Sequence, residues 1–281
     1  MQEWHNILRK VMAHGQQRDD RTGVGTLALF GEQLVFDNRT TFPAVTTKKL
    51  MLGQVAAELA CFLKGYDNLT NFHGMGCTIW DGNGNSDYWK PRARFEGDLG
   101  RIYGVQWRDW CSVNRSDSEG RLVKYTDQLK NLVEGMRKEP HGRRHLVTAY
   151  NPGELDQMCL PPCHVLFQAF INDAGEVDLR VDMRSVDLFL GLPFDVASYA
   201  ILQRLLAKEL HLRSGMLIFQ LGDAHIYLNH LVQVNEVLSR EPKLAPGLHL
   251  SDAAGLFNFE PHHAQLFMYD SWPSVSAPLN V

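Results

Sequence analysis

Chemistry begins with Cys163, which stands in Leu160-Pro161-Pro162-Cys163-His164 at the expected start of a strand. Two prolines fix the approach to the thiol, and a thiolate there would be a strong, soft nucleophile whose pKa falls beside cations. The same residue reads equally as a small buried hydrophobe, the common fate of a free cysteine. Arginines are grouped around short motifs: Arg21 opens Arg21-Thr22-Gly23-Val24-Gly25-Thr26, Arg143-Arg144 precede a strand and Arg184-Ser185 end one. Glycines let a backbone approach an anion closely, and converging guanidinium groups suit a phosphate dianion. Taken singly, each arginine also reads as a solvated surface charge. Glu58 falls within an apolar stretch, among Val55, Leu59 and Phe62. A half-buried carboxylate is costly unless it is paired or its raised pKa serves proton transfer, though a polar-face Glu would look the same. Gly222-Asp223-Ala224-His225-Ile226-Tyr227 reads as a helix N-cap carrying His225 and Tyr227, which serve a ligand or merely the fold.

These side chains need a scaffold, and the chain is long enough to build one. At 281 residues the length suggests one or two domains, and 44% hydrophobic with 21% charged residues excludes disorder and rod-like folds. Lys+Arg 28 against Asp+Glu 32 leaves a net −4, which argues against a polynucleotide partner. No apolar run approaches the roughly 18 residues of a membrane span. No basic region followed by an apolar core opens the chain, so no secretory signal is expected. Five scattered cysteines (Cys61, Cys77, Cys111, Cys159, Cys163) suggest a reducing compartment, a cytoplasmic location, and neither a disulfide framework nor a zinc site.

Periodicity supplies the elements. Trp4, Ile7, Leu8, Val11 and Met12 predict a helix stopped by Gly15, and a strongly apolar helix is expected over Leu50–Leu63, ending at Gly65. Leu27–Phe30 and Gln33–Phe36 around Gly31-Glu32 predict a hairpin. Residues 81–101 read as an exposed insertion, and Leu129, Leu132, Val133 and Met136 mark a further helix. Strands are expected at His145–Tyr150, His164–Ile171 and Val177–Arg184, where apolar Val177, Leu179, Val181 and Met183 alternate with charged residues. Helices follow near Asp195–Leu210 and His225–Leu238, before an irregular tail. The expected fold is a single α+β domain around a large mixed or antiparallel sheet with flanking helices.

In order along the chain, these motifs resemble the thymidylate synthase family. The matching set includes Arg21-Thr22-Gly23-x-Gly25-Thr26, Phe42-Pro43-x-Val45-Thr46-Thr47-Lys48, Thr78-Ile79-Trp80-Asp81, and Gly100-x-x-Tyr103-Gly104-x-Gln106-Trp107-Arg108. It continues with Pro161-Pro162-Cys163-His164, Arg184-Ser185-x-Asp187-x-Phe189-Leu190-Gly191-Leu192-Pro193-Phe194, Gly222-Asp223-x-His225-x-Tyr227-x-Asn229-His230, and Ser239-Arg240-Glu241-Pro242. The resemblance implies that Cys163 attacks C6 of a pyrimidine nucleotide and that C5 then takes a one-carbon unit from 5,10-methylenetetrahydrofolate, without a metal. It implies catalytic parts for Glu58, Tyr103 and His164 beside Cys163. Arg21, Arg184 and Ser185 would hold the 5′-phosphate, joined across a homodimer interface by Arg143 and Arg144 of the other subunit. His225 and Tyr227 would hold the sugar. Ile79, Trp80, Leu160, Asp187, Leu190, Gly191, Phe194 and Val281 would cover the folate.

One departure redirects the substrate. Thymidylate synthases carry Asn after Leu-Pro-Phe, whereas this chain has Asp195. Cytosine reverses the uracil pattern, offering an N4 amino donor and an N3 acceptor, and a protonated Asp195 meets both. The same exchange resembles the deoxycytidylate-specific methylases and hydroxymethylases known mainly from bacteriophages, as does Met183 before Arg184-Ser185. The expected substrate is therefore dCMP, with dUMP as the alternative. A synthase-like tail, Ala277-Pro278-Leu279-Asn280-Val281, favours a closed site and a methyl product. Asn83, where the family commonly has Trp, leaves the folate pocket wetter and keeps 5-hydroxymethyl-dCMP open. A nucleotide-binding module without catalysis and a methylase acting on cytosine within DNA are the readings from other classes.

Overall fold

The computed structural model describes residues 1–116 and 120–280. Helix α1 (Gln2–His14) buries Trp4, Ile7, Leu8 and Val11, the stripe that its periodicity predicts, and stops at Gly15. Strands β1 (Gln16–Arg18) and β2 (Thr26–Asp37) follow. Helix α2 (Leu52–Lys64) is apolar on nearly every side and ends where Gly65 takes a left-handed φ of 70°. Short helices α3 (Leu69–Gly74), α4 (Asp81–Gly84) and α5 (Tyr103–Arg108) lead to the hairpin β3 (Trp110–Ser116) and β4 (Gly120–Thr126). Then come α6 (Gln128–Lys138), β5 (Leu146–Thr148), β6 (His164–Ile171), β7 (Glu176–Asp187) and α7 (Gly191–Glu209). The chain continues through β8 (Arg213–Tyr227), α8 (Leu231–Ser239), β9 (Gly247–Leu250) and β10 (Ala264–Phe267).

Six strands form one mixed sheet in the order β1-β2-β8-β7-β6-β5. Among the described strands only β7 and β8 run parallel, because α7 carries the chain between them. Nearly all of α7 from Leu192 to Ala207 is buried, so this helix is the central packing element rather than a surface one. The α+β expectation holds, with helices flanking a mixed sheet.

Two expectations are corrected. Leu27–Phe30 and Gln33–Phe36 belong to one strand, β2, not to a hairpin. Gly31 takes φ 86° within the strand while the register against β8 runs on from Phe30↔Asp223 to Glu32↔Leu221. A glycine mid-strand mimicked a turn. Likewise Gly222–Tyr227 is strand, not a helix N-cap, and the helix expected over His225–Leu238 begins only at Leu231 after a 3-10 turn at Leu228–His230.

The kink at Gly31 continues across the sheet. Gly222 lies on β8 opposite it, and a Cβ there would sit 2.7 Å from the Arg184 carbonyl oxygen. In β7 the buried series steps from Val177, Leu179, Val181 and Met183 to Val186; in β8 it steps from Leu217, Phe219 and Leu221 to Ala224 and Ile226. Strand β6 has its own register shift between His164 and Leu166. This line of irregularities re-aims the strand ends that carry Arg184, Ser185, Asp187, His225 and Tyr227. Residues 81–101 are exposed at about half their positions and are pinned by buried Trp89, whose indole N–H donates to the Asp98 carbonyl at 2.6 Å.

Candidate active site

Cys163 sits directly before β6, half-buried. Its backbone N–H donates to the Tyr103 hydroxyl at 2.7 Å, and its carbonyl accepts from the Arg184 backbone at 2.8 Å. The Arg184 guanidinium donates to the Pro162 and Pro161 carbonyls at 2.8 and 2.9 Å and brings a nitrogen to 4.0 Å from Cys163 Sγ. The two prolines thus supply acceptors that hold the cation beside the sulfur. Burial nonetheless pushes the Cys163 thiol up, outweighing Arg184, and Asp195 adds to burial. The arginines act in the expected direction, Arg184 and then Arg21 lowering the thiol pKa, but burial is the larger effect.

Aromatic packing positions the acid–base groups. Tyr103 stacks on Phe62 at 5.1 Å and on His164 at 4.2 Å, while Trp80 packs edge-on to Phe62 and Tyr103. The Trp80 indole donates to Glu58 Oε1 at 2.7 Å, and burial pushes Glu58 up to about 7 against that hydrogen bond. Asp195, in the first turns of α7, is held well above the carboxylate range by burial and then by the charges of Glu58 and Asp187. His164 Nε2 lies 3.6 Å from Asp195 Oδ1, its Nδ1 lies 2.9 Å from the Tyr199 hydroxyl, and burial lowers its pKa to about 3. The imidazole is therefore neutral.

Parallel pairing of β7 with β8 sets Ser185 opposite Asp223 and Asp187 opposite His225. Asp187 Oδ1 accepts the backbone N–H groups of Phe189 and Leu190 at 2.8 and 3.1 Å, shaping the turn into α7. Lys48 braces this turn from below, donating to the Phe189 carbonyl at 2.5 Å; burial lowers its pKa to about 8. His225 Nδ1 faces Asp223 Oδ1 at 3.1 Å, whose other oxygen meets Arg18 at 3.2 Å. The ring packs edge-on to Tyr227 at 5.1 Å. Arg21 is exposed on a loop that Asp20 ties by accepting from the backbones of Thr22 and Gly25. The tail docks nearby: the Pro278 carbonyl lies 2.8 Å from His230 Nε2, and Asn280 pairs with Asn229.

Cys163, Glu58, Tyr103, His164, Asp195 and Arg184 come together, with Ser185, Asp187, His225 and Tyr227 on the adjoining strand ends. Arg143 and Arg144 do not join them. Both are exposed and, with Glu139–Gly142, line an open depression on the surface. Val281 lies outside the described residues. Sequence reading missed Tyr199, four residues after Asp195 and so on the same face of a helix, and missed Asp223 as the holder of His225.

A cysteine beside two carboxyls of raised pKa, next to strand ends that carry Arg, Ser, His and Tyr, brings together residue types suited to covalent and acid–base chemistry. A family model described as thymidylate synthase matches residues 2–281, and the chain belongs to that family. The family transfers a one-carbon unit from methylenetetrahydrofolate to C5 of a pyrimidine nucleotide. The residues present fit the folate: Ile79, Leu160, Leu190 and Phe194 are half-buried apolar groups packed on the core. At Gly191 an added Cβ would come into ordinary contact with Asp195 Oδ2 at 3.7 Å and Asp187 Cβ at 3.8 Å.

Proposed function

We propose that the protein methylates dCMP at C5. The observation that carries this reading is Asp195, a half-buried carboxyl beside Cys163 and His164 whose surroundings favour its protonated form. Its O–H donates to cytosine N3 and its carbonyl oxygen accepts from the N4 amino group. As Cys163 Sγ attacks C6, that proton passes to N3, and the ring accepts the electron pair that makes C5 nucleophilic. Cys163 attacks as the thiolate, its proton having passed to solvent, and Arg184 beside the sulfur stabilises that anion. Glu58, with a pKa of about 7, takes and returns protons at the C4 and C5 side. Tyr103, anchored on the Cys163 backbone, faces the same atoms.

Arg21, Arg184 and Ser185 hold the 5′-phosphate; His225 and Tyr227 hold the sugar; Ile79, Trp80, Leu160, Asp187, Leu190, Gly191 and Phe194 cover the folate, and Val281 is assigned to the same lid. The folate supplies the methylene carbon and, for a methyl product, the hydride. Trp80 and the docked tail support exclusion of water and hence the methyl outcome over 5-hydroxymethyl-dCMP. Arg143 and Arg144, free of this cleft, complete the phosphate site of a second subunit in a homodimer. A cytoplasmic, nucleotide-pool role follows, in the setting of bacteriophage-type cytosine modification.

A second reading, dUMP, draws on the same carboxyl, because a neutral acid is both donor and acceptor and also matches uracil N3–H and O4. Mass spectrometry of products from dCMP and dUMP with methylenetetrahydrofolate, with dihydrofolate absorbance followed in parallel, decides between them. Asp195→Asn should lower turnover of dCMP and raise that of dUMP, shifting the ratio by about 10-fold or more. An unchanged ratio removes Asp195 as base selector.

A further inference from the structure

A neutral carboxyl reads either base until something fixes which of its oxygens bears the proton. The geometry points to Tyr199 as that element: its hydroxyl sets the tautomer of His164, and His164 in turn polarises Asp195. This inference rests on the reading of Asp195 as base selector and deepens it.

Tyr199 is 2% exposed, and its hydroxyl contacts one hydrogen-bonding partner among the described residues, His164 Nδ1 at 2.9 Å. Phe167, Phe219 and Trp107 surround the ring edge-on, so no other polar atom shares the phenol. Two arrangements are possible for a neutral imidazole. If Nδ1 carries the hydrogen, it donates to the phenol oxygen and strands the buried phenol O–H without an acceptor. If Nε2 carries it, the phenol donates to Nδ1. The second arrangement bonds the enclosed phenol O–H and leaves only Nε2–H, on the Asp195 side, without a formed hydrogen bond. Nε2–H then faces Asp195 Oδ1 across 3.6 Å, too long for a formed hydrogen bond but a strong polarising edge in a buried site.

The consequence is a directional acid. Oδ1, beside the N–H, stays the carbonyl acceptor, and the proton rests on Oδ2, toward the Gly191 side. A base must then present a donor to one oxygen and an acceptor to the other in a fixed order, so only one of cytosine and uracil fits in a given ring orientation. Tyr199 touches neither nucleotide nor folate in this scheme; it is a positioning residue acting through His164.

Two measurements test this. Nitrogen-15 NMR of histidine-labelled wild-type enzyme should show His164 protonated at Nε2 and bare at Nδ1. Finding the hydrogen on Nδ1 overturns the inference without touching the assignment of substrate. Tyr199→Phe, which keeps the ring and its packing, should populate both tautomers and shrink the preference between dCMP and dUMP roughly tenfold, through kcat/KM of the disfavoured base. A mixed tautomer with an unchanged preference overturns the role in selection. A wild-type enzyme that prefers dUMP, with the Nε2 tautomer present, defeats the substrate reading while leaving the relay standing.

Discussion

Glu58 is the residue at which protein stability and catalysis share a proton. Burial holds its carboxyl at about 7 instead of the ordinary 4.5. Between those values the folded chain keeps a proton that the unfolded chain has released. The stabilisation is full below about pH 4.5 and is lost as the pH rises through 7. Buried Asp195 acts in the same direction. Glu58→Gln keeps a neutral partner for the Trp80 indole, so its urea midpoint should fall less than wild type's between pH 5 and pH 8. The same variant should lose on the order of 10²–10⁴-fold in turnover and its pH–rate limb near 7, having no proton to exchange. Equal pH slopes in the two proteins would mean that Glu58 ionises freely in the fold. Its importance was only half legible in the sequence: an acid among Val55, Leu59 and Phe62 announced itself, but its donor, Trp80, lies twenty-two residues away.

At the scale of elements, the sheet kink matters most. It rests on Gly222, where a methyl group would strike the Arg184 carbonyl at 2.7 Å. Gly222→Ala should cost about 1–3 kcal/mol by urea denaturation and weaken nucleotide binding, because it displaces the strand that carries Arg184. Gly53→Ala, with open space around the added carbon, should be nearly neutral. Equal stability of the two variants would show that the strands slide apart without cost. The tail is the second such element: removing residues from Pro278 onward deletes its bonds to His230 and Asn229. The product should then shift from 5-methyl- to 5-hydroxymethyl-dCMP as dihydrofolate falls; an unchanged partition discards the lid. Strands β6 and β7 were legible because alternation with period two places one face on the core and fits no helix. The single strand β2 and the strand end at His225 were not, since Gly31-Glu32 imitates a turn and Gly-Asp imitates a cap. Cross-sheet glycine pairing at Gly31 and Gly222 is a tertiary fact that no local window contains.

For the molecule as a whole, Arg143 and Arg144 set the question of assembly. They sit on an exposed loop and line a surface depression that does not include Cys163. If they serve a neighbour's phosphate, an Arg143→Ala subunit and a Cys163→Ser subunit, each inactive alone, should recover activity when refolded together. Random pairing makes half the dimers mixed, each with one intact site, so recovery should approach about a quarter of wild-type turnover. Mixed dimers that form and stay inactive would refute the shared site. This division of labour was visible as motifs but not as geometry, because one chain's sequence carries no sign of which surface meets a second copy.

The guarded sulfur also bears on how the protein ages. Cys61, Cys77 and Cys159 are buried with thiols pushed far up by desolvation, and burial raises even Cys163, with Arg184 beside it. Peroxide attacks thiolate, not thiol, so burial that raises a thiol's pKa also slows its oxidation. The same desolvation that sets the reactivity of these sulfurs thereby sets how fast the protein ages in an oxidising medium.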